Sequence, residues 1–170
     1  MSQLQDKIAW VTGAGTGIGE AAALALAKEG ASVVLTGRRL EPLEAVAARI
    51  IQAGGTAHVQ AGDMTVPGSV AAIADYIKTT LGRLDILVAN AGVNIRERDW
   101  AQLTPEGADS VITGNLTSVF YCVSAVLPMM RAQKGGVVII TASIAGRFIS
   151  GLSGAAYTAA KHGVVAMSHT

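Results

Sequence analysis

KIAWVTGAGTGIGEA, residues 7–21, joins a short apolar run to four glycines in seven positions, at 13, 15, 17 and 19. The run KIAWVT carries β-branched residues and reads as a strand. GIGEAAALALAKEG (17–30) reads as a helix that Gly30 stops. A strand that passes through glycines into a helix presents backbone N–H groups at the helix N-terminus, where anions are favoured. On this reading Gly13 allows the tight turn, Gly17 the close approach of a pyrophosphate, and Gly19 the helix–sheet contact. The common dinucleotide fingerprint GxGxxG does not fit, because its last position is Ile18 when read from Gly13 and Glu20 when read from Gly15. Four glycines exceed what a turn needs, so the stretch reads as a phosphate site rather than a merely tight turn. By itself it does not name the nucleotide.

Outward from this stretch the same alternation repeats. Strand-like runs SVVLT (32–36), TAHVQ (56–60), LDILVAN (84–90) and GVVIITAS (136–143) alternate with helix-like runs. The helices are EPLEAVAARIIQAG (41–54, Pro42 in its first turn), PGSVAAIADYIKTTLG (67–82) and a long one over 104–134, with a bend expected at Pro128. From Ala155 the chain turns helical again. Strands apolar on both faces are those of a parallel sheet covered by helices. Repeated βαβ units predict an α/β, Rossmann-like doubly wound sheet with five strands. In such a sheet ligands bind beyond the carboxyl ends of the strands. Those ends carry Thr12–Gly19, Gly37-Arg38, Gly62-Asp63, Asn90–Gly92 and Ser143.

Length and composition narrow the function. The 170 residues suffice for one domain with a core, residues 1–170 forming a single unit without linker or low-complexity tract. Half the residues are apolar, 15% are charged and the net charge is +1. That balance gives no electrostatic reason to expect nucleic acid or an acidic membrane as partner. No unbroken apolar run approaches the ~18 residues of a membrane span. The start MSQLQDK is no signal peptide. The single cysteine, Cys122, cannot form an internal disulfide, and a reducing, cytoplasmic compartment is the simpler expectation. His58, His162 and His169 have no ligand spacing, so no metal is expected. Cys122 and Trp10 read as core. Trp100 lies on the ligand side, touching substrate or packing a loop.

The glycine stretch TGAGTGIG resembles the TGxxxGIG pattern of the classical short-chain dehydrogenase/reductase family. Five further motifs agree in order: GD at 62–63, NAG at 90–92, Asn115 in GNLTSVF, Ser143 in TASIAG and YTAAK at 157–161. One spacing departs. Ser143 and Tyr157 are fourteen residues apart, one more than the family pattern, and the extra residue is expected in RFISGLSG, near the substrate. The resemblance implies an NAD(P)-dependent oxidoreductase that moves a hydride between nicotinamide C4 and a small carbonyl/alcohol substrate. It implies cofactor contacts from Gly13, Gly15, Thr16, Gly17, Ile18, Gly19, Asp63, Met64, Asn90, Ala91 and Gly92. Asp63 would accept from the adenine amino group, and Asn90–Gly92 would line the adenosine ribose.

Tyr157 and Lys161 lie four apart on a helix and so share a face. A nearby ammonium favours a phenolate, and acid–base catalysis works best near the working pH. Tyr157 is thus read as the acid/base and Lys161 as its tuner, a surface pair being the plainer alternative. By the resemblance Lys161 also holds the nicotinamide ribose. Ser143 can polarise a carbonyl or merely cap a turn, as Ser150 and Ser153 are expected to do. Asn115 is a poor helix former inside an apolar helix, and a buried amide needs partners. The resemblance implies that it anchors a relay water, a structural polar contact being the alternative. At the end of strand two an acidic residue would select NAD. Gly37 stands there, followed by Arg38 and Arg39, so Arg38 is read as a 2′-phosphate partner and NADP is expected over NAD, with NAD still possible. The alternative is that both arginines face solvent.

The chain ends in KHGVVAMSHT. Sequences of the family continue with the rest of that helix, two more strands and a segment that closes over substrate. The resemblance therefore implies a C-terminally truncated member, a homo-oligomer when full length. The competing reading is a nucleotide-binding fragment without turnover. A redox-sensing regulator is a third reading, disfavoured by the intact Asn115–Ser143–Tyr157–Lys161 set.

Overall fold

Parallel pairing of the five apolar runs is what the computed structural model shows, and it describes residues 2–149 and 151–169. Ser150, for which a turn role is expected, lies outside the described residues, as do Met1 and Thr170. The strands are β1 (Ile8–Thr12), β2 (Ser32–Gly37), β3 (Thr56–Ala61), β4 (Ile86–Ala89) and β5 (Val137–Ile140). They are all parallel, in the order β3-β2-β1-β4-β5. The order reverses direction at β1, so the glycine turn after β1 sits at the switch point where ligands bind in such sheets.

Alternation of side chains sends each strand's residues to two cores. Ala9, Val11, Val33, Leu35 and Val88 face α1 (Gly17–Lys28) and α2 (Leu40–Gln52). Helix α1 approaches through small buried residues, Gly19, Ala23 and Ala27, while α2 buries Leu43, Val46, Ala47 and Ile50 at helical spacing. Trp10, Val34, Leu87 and Ala89 face the other layer: α3 (Pro67–Tyr76), α4 (Pro105–Ile112) running on into α5 (Ser118–Ala132), and α6 (Ala155–Met167). Trp10 is fully buried and its indole N–H donates to Thr36 Oγ1 at 2.8 Å, which makes that burial tolerable.

Pro128, where the bend is expected, lies inside α5. The interruption of the long helix lies further upstream. It is a widened π turn at Thr113–Thr117, a loosening that recurs at functional sites. A second π turn, Ile77–Leu81, ends α3 and is stopped by Gly82. The sequence also holds more apolar helix than a search for unbroken runs finds. By length and composition Pro105–Ala132 would suffice to cross a membrane, because isolated Ser, Thr, Gly and Asn break the run without lowering its average much. Here its Val111, Val119, Cys122, Val126 and Met130 are buried in the domain.

Candidate active site

The carboxyl ends of the strands open into one cleft of about 1180 Å³. At one end the glycine turn lines it with Gly13, Gly15, Thr16 and Ile18. Gly13 has φ +65, and a Cβ there would stand 3.0 Å from Asn90 Nδ2. Gly17 opens α1 and Gly19 is buried against the glycine turn; neither lines the cleft. A Cβ at Gly19 would collide with Gly13 O and come within 2.6 Å of Asn90 Nδ2, so its role is to let α1 pack on the turn. Thr16 is the residue before α1, and its side chain makes no cap hydrogen bond, so the first N–H groups of a twelve-residue helix keep their capacity for an anion.

Thr12, which the sequence reading did not single out, ties the turn to β4. Its buried hydroxyl oxygen accepts from Asn90 N at 2.9 Å and Ala91 N at 3.0 Å. Asn90 Nδ2 donates back to Thr12 O at 3.1 Å, and Thr141 Oγ1 donates to Asn90 Oδ1 at 3.1 Å. Asn90, Ala91 and Gly92 line the cleft from this locked position.

The lining next to the turn also holds Arg38, Arg39, Asp63 and Met64. Asp63 Oδ1 accepts from Thr65 N at 2.9 Å and Thr65 Oγ1 at 2.8 Å, closing a turn before α3. Only Oδ1 is engaged by these bonds. The Thr65 N–H, with the Thr65 hydroxyl and the nearby Arg38 charge, outweighs burial and holds the Asp63 carboxyl below the usual carboxylate range. Asp63 is the only carboxylate among the described residues lining the cleft.

At the far end stand Asn115, Ser143, Tyr157 and Lys161. Lys161 is only 4% exposed; its Nζ donates to Thr141 O at 2.7 Å and lies 5.6 Å from the centre of the Tyr157 ring. Burial pushes the Lys161 ammonium below the ordinary lysine range. Ser143 Oγ accepts from Ala145 N at 3.2 Å, capping a short 3₁₀ turn at Ile144–Gly146, and its own proton stays free to be donated. Asn115 sits in the π turn. Its Nδ2 donates to Val93 O at 2.6 Å and Val111 O at 2.8 Å, while its buried Oδ1 has no partner among the described residues. A Cβ at Gly92 would stand 2.6 Å from that oxygen.

These features fit a dinucleotide. The cleft is roomy, the helix end is uncapped, a cradle that side chains would fill is kept clear, and one buried acceptor stands at the reacting end. The second-layer threonines Thr12 and Thr141 escaped the sequence reading because they act through strand-to-strand bonds. Their one signal was position, at the last residue of β1 and just after β5.

The other expectations fall as follows. Cys122 is buried, 3.7 Å from Met64 Sδ, and its thiol is pushed up to about 12 by burial. Trp100 is 81% exposed, outside the main cleft. His58 is held by Ser32 Oγ and Tyr76 OH at 3.0 and 3.2 Å. No group of three or more metal-ligating side chains occurs among the described residues.

Comparison with known proteins gives the family and the fold. A family model described as short chain dehydrogenase matches residues 7–170. The chain is 37% identical over 168 residues to a cyclohexanol dehydrogenase of Acinetobacter sp. (strain SE19), covering 98% of this chain and 66% of that protein. It is 35% identical over 170 residues to levodione reductase of Leifsonia aquatica, covering 98% and 63%. The chain thus spans less than two thirds of these relatives. Among solved structures, a metagenomic short-chain oxidoreductase in complex with NADP superposes with a TM-score of 0.92 at 40% identity, over 96% of this chain and 74% of that one.

Proposed function

The chain belongs to the short-chain dehydrogenase family, and from that premise we propose an NADP-dependent oxidoreductase that interconverts a carbonyl compound and its alcohol. One observation carries the reading: a single cleft joins the glycine turn and Arg38 at one end to Ser143, Tyr157 and Lys161 at the other. Bound NADPH supplies the hydride for the carbonyl carbon, and the oxidised form accepts it in the reverse direction. The chain orients the reactants and handles the proton. Tyr157 gives its hydroxyl proton to the carbonyl oxygen. Ser143, whose oxygen already accepts from Ala145 N, donates its proton to the same carbonyl oxygen and polarises the bond. Lys161 spends one N–H on Thr141 O and keeps two for the ribose and a relay water. Asn115 Oδ1, buried and without a partner among the described residues, is the acceptor that holds this water. Gly13, Gly15, Thr16 and the α1 N-terminus receive the pyrophosphate, with Gly17 and Gly19 shaping the turn. Asp63 and Met64 meet the adenine, and Asn90, Ala91 and Gly92 its ribose. Two arginines beside the turn, with Asp63 as the only described carboxylate in the lining, favour NADP over NAD. The buried lone Cys122 suits a reducing, cytoplasmic compartment.

A second reading, nucleotide binding without turnover, draws on the open substrate end, where Phe148, Ile149 and Leu152 are exposed. Titration with NADPH and NADH, followed by addition of a panel of ketones and aldehydes, separates the two. Tighter NADPH binding with carbonyl-dependent oxidation of NADPH is the expected result. Binding without oxidation favours the second reading, and no binding overturns both.

A further inference from the structure

A second hollow lies beside the substrate end of the cleft, and Arg98 lines both. This hollow measures about 460 Å³ and presents Trp100, Ile149, Ala155 and Ala159 as its apolar surface. The wall between the two is built. Asn94 Nδ2 donates to Ser153 O at 3.1 Å. Gly154, at φ +80, leaves the space in which a Cβ would stand 2.7 Å from Arg98 Cβ and 2.9 Å from Arg98 O. The backbone of Arg98 is therefore seated against the residue three before Tyr157. Its side chain is exposed and forms no ion pair among the described residues. Arg38, Arg39 and Asp63 stand with the glycine turn, and Lys161 is committed to Thr141 O. Among the described residues lining this end, Arg98 is thus the one cation without an ion pair or a fixed hydrogen bond. Asp99 also borders the second hollow, but its Oδ1 accepts from Ala101 N at 2.9 Å, closing its own turn.

We propose that Arg98 is a specificity-determining residue that receives an anionic group of the substrate, so that the substrate class is oxo acids and the matching hydroxy acids, their apolar chain lying along Trp100 and Ile149. A guanidinium pairs with a carboxylate through two parallel N–H donors, which a neutral ketone cannot use. This rests on the oxidoreductase reading above. The test compares levulinate with its methyl ester, both as ligands of the chain saturated with oxidised NADP and as substrates with NADPH, in wild type, Arg98→Gln and Arg98→Lys. The wild type is expected to prefer the acid by roughly ten- to a hundred-fold, the range of one charge-assisted hydrogen bond. Arg98→Gln should abolish that preference while leaving the ester, NADP affinity and melting temperature unchanged, and Arg98→Lys should keep part of it. Equal binding of acid and ester by the wild type, or an acid preference that survives in Arg98→Gln, overturns the assignment while NADP binding stands. Failure of all three proteins to bind NADP overturns the oxidoreductase reading and this inference with it.

Discussion

Tyr157 and Lys161 share a helix face, but the structure gives them unequal surroundings. Lys161 is buried and hydrogen-bonded, whereas Tyr157 is only half-buried, at the edge of the cleft. Removing the phenol oxygen therefore leaves the packing in place and deletes one proton donor. Tyr157→Phe is expected to lower turnover by about 100-fold or more, the usual contribution of a general acid, while NADPH affinity changes less than about twofold. Steady-state rates and a fluorescence titration on the same preparation check both halves. A variant that keeps a tenth of the wild-type rate would show that Tyr157 is not the acid. The arginines after β2 make a second residue-scale case. Arg38 lines the cleft and its charge reaches Asp63. Arg38→Ala should weaken NADPH roughly ten- to a hundred-fold and NADH by much less, since only NADPH carries the 2′-phosphate. Equal losses for the two cofactors in parallel titrations would remove Arg38 from that role.

Elements are tied to one another at their ends, and the start of β4, at the end of the sheet opposite the cleft, shows how. Asp85 Oδ2 accepts from Ile8 N and from Arg83 Nε, each at 2.9 Å, and its Oδ1 accepts from Arg83 Nη2 at 2.6 Å, with Lys7 Nζ at 3.7 Å. Burial opposes the charge most strongly. The Arg83 and Ile8 hydrogen bonds, with the Arg83 and Lys7 charges, outweigh it and hold the carboxyl below its ordinary value. A depressed folded value means that, between it and the unfolded value near 3.9, the unfolded chain binds more protons. The stabilisation is therefore complete above that window and disappears as pH falls through it. Asp85→Asn should cost about 1–3 kcal/mol at neutral pH, and the gap to wild type should close below about pH 4. Urea melts over a pH series measure it; a gap that persists at low pH would assign the loss to packing. Element types were legible because apolar runs, Pro42 in the first turn of its helix and the Gly30 stop are local signals. The π turn at Thr113–Thr117 was not. It depends on Asn115 bonding to Val93 O in a distant loop, and on Gly114 passing where a Cβ would stand 2.7 Å from Val93 Cγ2. The cleft residues named by motif, Asn115 in the π turn excepted, were legible for the opposite reason, since they sit at a strand end or on one helix face. Arg98 and Thr141 have no local pattern and emerge only once the loops are folded.

The sheet as a whole has two outer strands of unlike character. β3 presents Thr56, His58 and Gln60, with His58 held by Ser32 and Tyr76. β5 is VVII, pairs only with β4 among the described residues, and leaves Val137 55% and Ile139 47% exposed. An uncharged, proline-free, β-branched edge is a template for a further strand. The 170-residue chain, expressed by itself, is therefore expected to associate through β5. Size-exclusion chromatography with light scattering should show dimers or larger species whose share grows with concentration. Replacing Val137 and Ile139 with lysine should shift the population toward monomer, because charged side chains on an edge resist pairing with another edge. The same changes at Thr56 and Gln60 of β3 should leave it unaltered. A wild-type chain that remains a monodisperse, cooperatively melting monomer at high concentration would show that the β5 edge is not sticky enough to recruit a partner.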